Sequence, residues 1–153
     1  MTVSSFRWLF PLFAVALVSW SCQSTAETHS APTPTETQSR MIQYLEIVTP
    51  DVDLKCETLA SIHGVQFSAP IPELGGARTT SLPNGGRIGV RGPLRPDEAP
   101  VVRPYMLVSD IADAVSKAEA AGATIALPPM ELPGQGTFAI YIEGGIEHGL
   151  WQD

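Results

Sequence analysis

Glu46, Glu147 and His148 are the residues of this chain whose types could together hold a divalent cation. A histidine with two carboxylates is a donor set used by non-haem iron sites. Tyr44, Arg103, Tyr105 and Trp151 offer a different chemistry. Their rings can stack on an organic ligand, and the guanidinium can pair with an acidic group on it. Period-two alternation decides which of them can meet. It puts Tyr44, Glu46 and Val48 on one strand face, Arg103, Tyr105 and Leu107 on a second, and Glu147, Gly149 and Trp151 on a third. The competing readings are a surface carboxylate for Glu46, a solvated strand end for Glu147 and His148, and core packing for Tyr105 and Trp151. No Ser-His-Asp or Cys-His arrangement is readable, and no CxxC or HExxH spacing occurs.

The elements that would position these residues recur. A shift of 59 residues carries Tyr44 onto Arg103, Ile47 onto Met106, Asp51 onto Asp110, Pro70 onto Pro129, Gly75 onto Gly134 and Gly85-Gly86 onto Gly144-Gly145. Each copy opens with an apolar run, Ile42 to Val48 and Tyr105 to Val108, that predicts a strand. Asp51 and Asp110 suit helix N-termini, where a carboxylate accepts unpaired N–H groups. Helices are predicted over Val52–Ile62 and Ile111–Ala121, stopped by Gly64 and Gly122. Three strands follow in each copy: Val65–Ser68, Arg78–Leu82 and Arg87–Arg91, then Thr124–Ala126, Phe138–Ile142 and Glu147–Trp151. Ala69–Ala77 and Pro128–Gly136, rich in Pro and Gly, are expected as loops. The outcome is an α+β fold of two βαβββ modules, at about 41–100 and 101–153. Cys56, in the first helix, reads as a buried small side chain, and His63 as a cation near a helix C-terminus.

The chain of 153 residues has 9 Lys and Arg against 16 Asp and Glu, a net charge of −7. An acidic surface argues against a general nucleic-acid binder. Two cysteines cannot build a disulfide framework. Arg7 precedes an apolar run, Trp8 to Val18, that is shorter than the roughly 20 residues of a membrane span. With Ser19 and Ser21 before Cys22, residues 1–21 resemble the signal peptide of a bacterial lipoprotein, which implies a lipidated Cys22 on the cell envelope. Ordinary signal cleavage beside a plain cysteine is the alternative. Residues 22–40 read as a flexible tether, rich in Ser, Thr and Pro. Arg7 and Arg40 balance Glu27 and Glu36, so the whole −7 falls on residues 41–153. Within that domain Arg78, Arg87, Arg91, Arg95 and Arg103 outnumber Asp97 and Glu98, which would either steer an anionic ligand or simply keep the segment soluble.

The paired unit resembles the vicinal-oxygen-chelate superfamily, which includes glyoxalase I, extradiol dioxygenases and bleomycin-resistance proteins. The likeness is carried by Arg103-Pro104-Tyr105, Val108 to Ile111, Ala114-Val115, Gly122-Ala123, Pro128-Pro129-Met130, Pro133 to Ala139 and Gly149 to Gln152. The last hairpin turn, Glu143-Gly144-Gly145, is one residue shorter than the common Asp-Pro-x-Gly. In metal-using members the ligands lie on the first and last strands of each module. Here those positions fall on Tyr44, Val90, Arg103 and Gly149. Valine, arginine and glycine side chains do not ligate divalent cations, and tyrosine does so weakly at neutral pH. The resemblance therefore implies a cleft without the usual metal, binding a small anionic or aromatic molecule through Tyr44, Glu46, Arg103, Tyr105 and Trp151. The alternative is a lyase or oxygenase holding one divalent metal ion on Glu46, Glu147 and His148. A homodimer is also implied, since many two-module members exchange halves between chains.

Overall fold

The computed structural model describes residues 41–83 and 85–153. The signal peptide expected at 1–21, the lipidated Cys22 and the tether at 22–40 lie outside the described residues. β1 (Ile42–Val48) leads into α1 (Val52–His63), and a 3-10 turn (Pro72–Leu74) precedes β2 (Arg78–Ser81) and β3 (Arg87–Arg91). β4 (Val101–Leu107), α2 (Ile111–Ala120), β5 (Thr124–Leu132), β6 (Gly136–Glu143) and β7 (Ile146–Gln152) make the second module. The seven strands form one mixed sheet in the order β2-β3-β1-β4-β7-β6-β5.

Local chemistry sets the helix ends. Asp51 accepts the Leu54 N–H at 3.2 Å, and Asp110 accepts that of Asp113 at 3.0 Å. Gly64 stops α1 at φ 66°, a left-handed conformation that glycine adopts without strain. The modules meet where β1 and β4 run antiparallel, with Tyr44 opposite Tyr105 and Glu46 opposite Arg103. The 59-residue shift turns the first pair into the second, so a local two-fold axis passes between them.

Two cores result. Tyr44, Leu74, Ala77, Tyr105 and Trp151 cluster on one face of the sheet. Ile111, Ala139 and Leu150 pack on the other, with Val115 and Tyr141 against them. Cys56 is the buried residue of α1.

Four segments depart from the expected pattern. Val65–Ser68 is not a strand. Ser68 N–H still donates to the Thr79 carbonyl at 2.8 Å, and Thr79 N–H donates to the Ser68 hydroxyl at 3.0 Å. A side chain thus takes over one ladder bond, and Pro70 two residues on has no N–H to extend the pairing. Of the loop expected at Pro128–Gly136, only the turn 133–135 is irregular. β5 runs through both prolines to Leu132, because it is an edge strand and its register shifts between Ile125 and Leu127 and again between Leu127 and Met130. β4 starts at Val101 rather than Tyr105, with Pro104 lying just before its first pair with β7, Tyr105 to Gly149. Finally, β3 is one residue out of the simple repeat. Glu46 pairs with Gly89, while its counterpart Tyr105 pairs with Gly149. The expected last-strand position in module one is therefore Gly89, not Val90.

Candidate functional site

Arg87 on β3 donates to the Gln135 side chain, in the turn before β6, at 2.7 Å. Four strand spacings separate β3 from β6, about 19 Å in a flat sheet. That contact requires a strongly curled sheet. Its concave face carries Tyr44, Glu46, Arg87, Arg91, Arg103, Tyr105, Glu147 and Trp151; of the five residues expected in the cleft, Tyr44, Glu46, Arg103 and Trp151 line it, and Tyr105 packs in the core.

One end of this face is dry. Tyr44, Tyr105, Phe138 and Trp151 pack with ring centroids 5.4 to 6.3 Å apart. The Arg87 guanidinium covers the Tyr44 and Trp151 rings at 5.7 and 5.4 Å. Gly89 and Gly149 leave the space the tyrosines fill, since a Cβ on either would collide with Tyr44 or Tyr105. Burial raises both phenols well above their ordinary range, and the nearby Glu46 charge adds to it. Neither is a phenolate ligand at neutral pH.

The other end is ionic and open. Arg91 Nε donates to Glu46 Oε1 at 2.6 Å, and its Nη1 and Nη2 grip Glu98 at 2.9 and 2.7 Å. Arg103 Nη1 donates to Glu46 Oε2, and its Nε and Nη2 both donate to Glu147 Oε2. Tyr105 Oη donates to Glu46 Oε2 at 3.1 Å. Burial works against both guanidinium charges, but the bonds Arg91 donates to Glu98 and Glu46, and those Arg103 donates to Glu147 and Glu46, more than offset it. The Arg91 bonds hold the Glu98 carboxyl down to about 2, helped by the Leu94 N–H at 2.6 Å. Above this row lies a cleft of about 370 Å³, walled by Leu74, Leu94, Leu127, Met130, Phe138 and Ile140. Leu94 and Met130 are exposed at its rim.

Sequence reasoning missed Arg91 and Glu98 as site residues, and it missed the β5 wall. The alternation Arg87-Gly89-Arg91 held the signal for Arg91 once β3 was set one residue over. Glu98 carried none, because a linker turn brings it back. Arg78 pairs with Asp53 at 2.7 Å and Arg95 lies near Asp97 at 3.6 Å, so the five arginines do not converge on one point. His148 is not brought to Glu46 and Glu147. Alternation along β7 turns it to the α2 side of the sheet, where it stacks on Tyr141 with centroids 5.1 Å apart.

A seven-stranded mixed sheet with two helices, built from paired modules, is the glyoxalase-like or vicinal-oxygen-chelate fold, and this chain has it. Solved structures similar to it include a hypothetical protein from Bacillus halodurans C-125, at 10% identity and a TM-score of 0.62, covering 75% of this chain and 95% of that one. Methylmalonyl-CoA epimerase from Streptomyces coelicolor, in complex with 2-nitronate-propionyl-CoA, matches at 15% identity and TM-score 0.57, covering 74% and 94%. The epimerase from Mycobacterium tuberculosis matches at 16% and 0.56, covering 72% and 85%. At these identities the likeness is one of fold. No family profile and no curated protein sequence matches the chain.

The donor set does not fit the divalent metal that the fold's metal-using members hold. Arg103 places a permanent cation between Glu46 and Glu147, and one oxygen of each carboxylate accepts from it. A dication there would face a guanidinium rather than a vacant pair of carboxylates. No three His, Cys, Asp or Glu side chains converge among the described residues.

Proposed function

We propose that residues 41–153 form a binding domain for a small organic ligand, seated in the cleft without a divalent metal. The observation that carries this reading is the cleft itself: apolar walls over a floor where Arg91 and Arg103 are paired with Glu98, Glu46 and Glu147. Clefts of about this volume, apolar with few fixed polar groups, are the usual form of small-molecule sites. The epimerase neighbour held with an organic acyl compound is consistent with such use of the fold. Native mass spectrometry of the full chain tests the reading. The expected result is a bound organic mass, co-purified or added, with no stoichiometric metal. A stoichiometric divalent ion that disappears in Glu147→Ala would overturn it and favour a metal-dependent enzyme.

In this reading the leader exports the chain, Cys22 carries lipid, and residues 22–40 hold the domain off a bacterial envelope membrane. The support is the sequence pattern around Cys22. Cys22→Ala should move the protein from the detergent phase to the aqueous phase; no change would refute lipidation. The domain acts as a homodimer, and a monomer mass by light scattering would refute that.

A further inference from the structure

Five charged side chains cross the cleft floor in alternating order: Glu98, Arg91, Glu46, Arg103, Glu147. Two guanidiniums against three carboxylates leave the row one negative charge in excess. Its two ends differ. At the Glu98 end Arg91 grips both carboxylate oxygens, the Leu94 N–H adds a third bond, and the side chain is 12% exposed. At the Glu147 end the side chain is 39% exposed, and both Arg103 bonds fall on Oε2, so Oε1 receives neither. Arg103, the residue expected to take an acidic group, has Nε, Nη1 and Nη2 all engaged by Glu46, Tyr105 and Glu147. The remaining charges around the cleft are Glu73 and Arg95, both exposed and opposite in sign.

The geometry points to an organic amine as the ligand class. An ammonium group on Glu147 extends the alternation by one member and neutralises the row, while an apolar body lies along Leu127, Met130, Phe138 and Ile140. An anion in the same place meets a carboxylate with no uncommitted guanidinium beside it. Charged hydrogen bonds of this kind are among the strong ones, and a half-buried site screens them less than open water does. This inference rests on the proposal that the cleft is a binding site, and it reverses the anionic preference that the arginine count implied.

The test is calorimetric titration of the full chain at pH 7 and low salt with three probes sharing one apolar body: 4-phenylbutylamine, 4-phenylbutanol and 4-phenylbutyrate. Manganese chloride is a fourth. The amine is expected to bind about tenfold more tightly than the alcohol, with the carboxylate weakest. Glu147→Gln should erase the amine's advantage over the alcohol. Carboxylate binding equal to or tighter than amine binding to the natural protein overturns the amine assignment and leaves the cleft proposal standing. That arm needs no variant. No binding of any organic probe overturns the cleft proposal itself, and the amine assignment with it. Manganese bound stoichiometrically while the amine is not assigns the open end to an inorganic cation instead.

Discussion

Trp151 and Glu147 stand four residues apart on the same face of β7, yet they belong to different regimes. Trp151 is 1% exposed among Tyr44, Tyr105 and Phe138, and its neighbourhood is held by packed rings. Glu147 is held by Arg103, which is held in turn by Glu46, and so on to Glu98. The difference teaches how one curled sheet can be both a core and a cleft. At the dry end the packed rings gain by excluding water, so the space closes. At the ionic end each buried charge needs its neighbours, and no apolar group can replace one of them without stranding the next. That end stays organised while leaving room beside it.

The two ends should therefore fail differently. Trp151→Ala is expected to have the largest effect, a loss of about 3–5 kcal/mol in urea unfolding, because it opens a large void in the aromatic cluster. A loss under about 1 kcal/mol would mean that the dry end is not the core. Arg103→Met should cost about 3 kcal/mol, since it leaves Glu46 and Glu147 without their shared cation. The sharper form is a double-mutant cycle. Glu46→Leu combined with Arg103→Met should cost less than the two single losses added together, whereas additive losses would show that the row does not act as a unit.

Glu98→Gln should cost about 2 kcal/mol at pH 7. Its pH dependence has a definite sign. The folded protein holds this carboxyl at about 2, below its ordinary 4.5, so its stabilisation is complete above about 4.5 and drains away as pH falls toward 2. The natural protein should lose stability across that window, and Glu98→Gln should show a flatter acid limb in thermal melts. Parallel curves would remove Glu98 from the row. The smallest effect is expected at the boundary of the dry end: Arg87→Ala should cost about 1 kcal/mol, the contribution of a guanidinium over two rings. A cost as large as that of Trp151→Ala would show that the aromatic end depends on charge as well.

Residue spacing alone determined much of this molecule. Asp51, Asp110 and Gly64 mark helix ends because capping is a contact within a few residues. Alternation put Tyr44, Glu46, Arg103, Tyr105, Glu147 and Trp151 on faces that do meet, because the pleat fixes direction along any strand. The 59-residue repeat pointed to two equivalent halves. Only the folded chain decided the rest. The single-residue offset of β3, which exchanges Val90 for Gly89 and turns Arg91 inward, depends on how β3 pairs with β1. β5 accommodates Pro128 and Pro129, and so extends to the cleft wall at Leu127 and Met130, because that strand lies at an edge. Arg103 changed from a free anion receptor into an inner member of an ion row through partners 57 and 44 residues away in sequence. A charge's type is written at its own position, but whether it is spent inside the fold or offered to a ligand depends on which opposite charge the curled sheet carries to it.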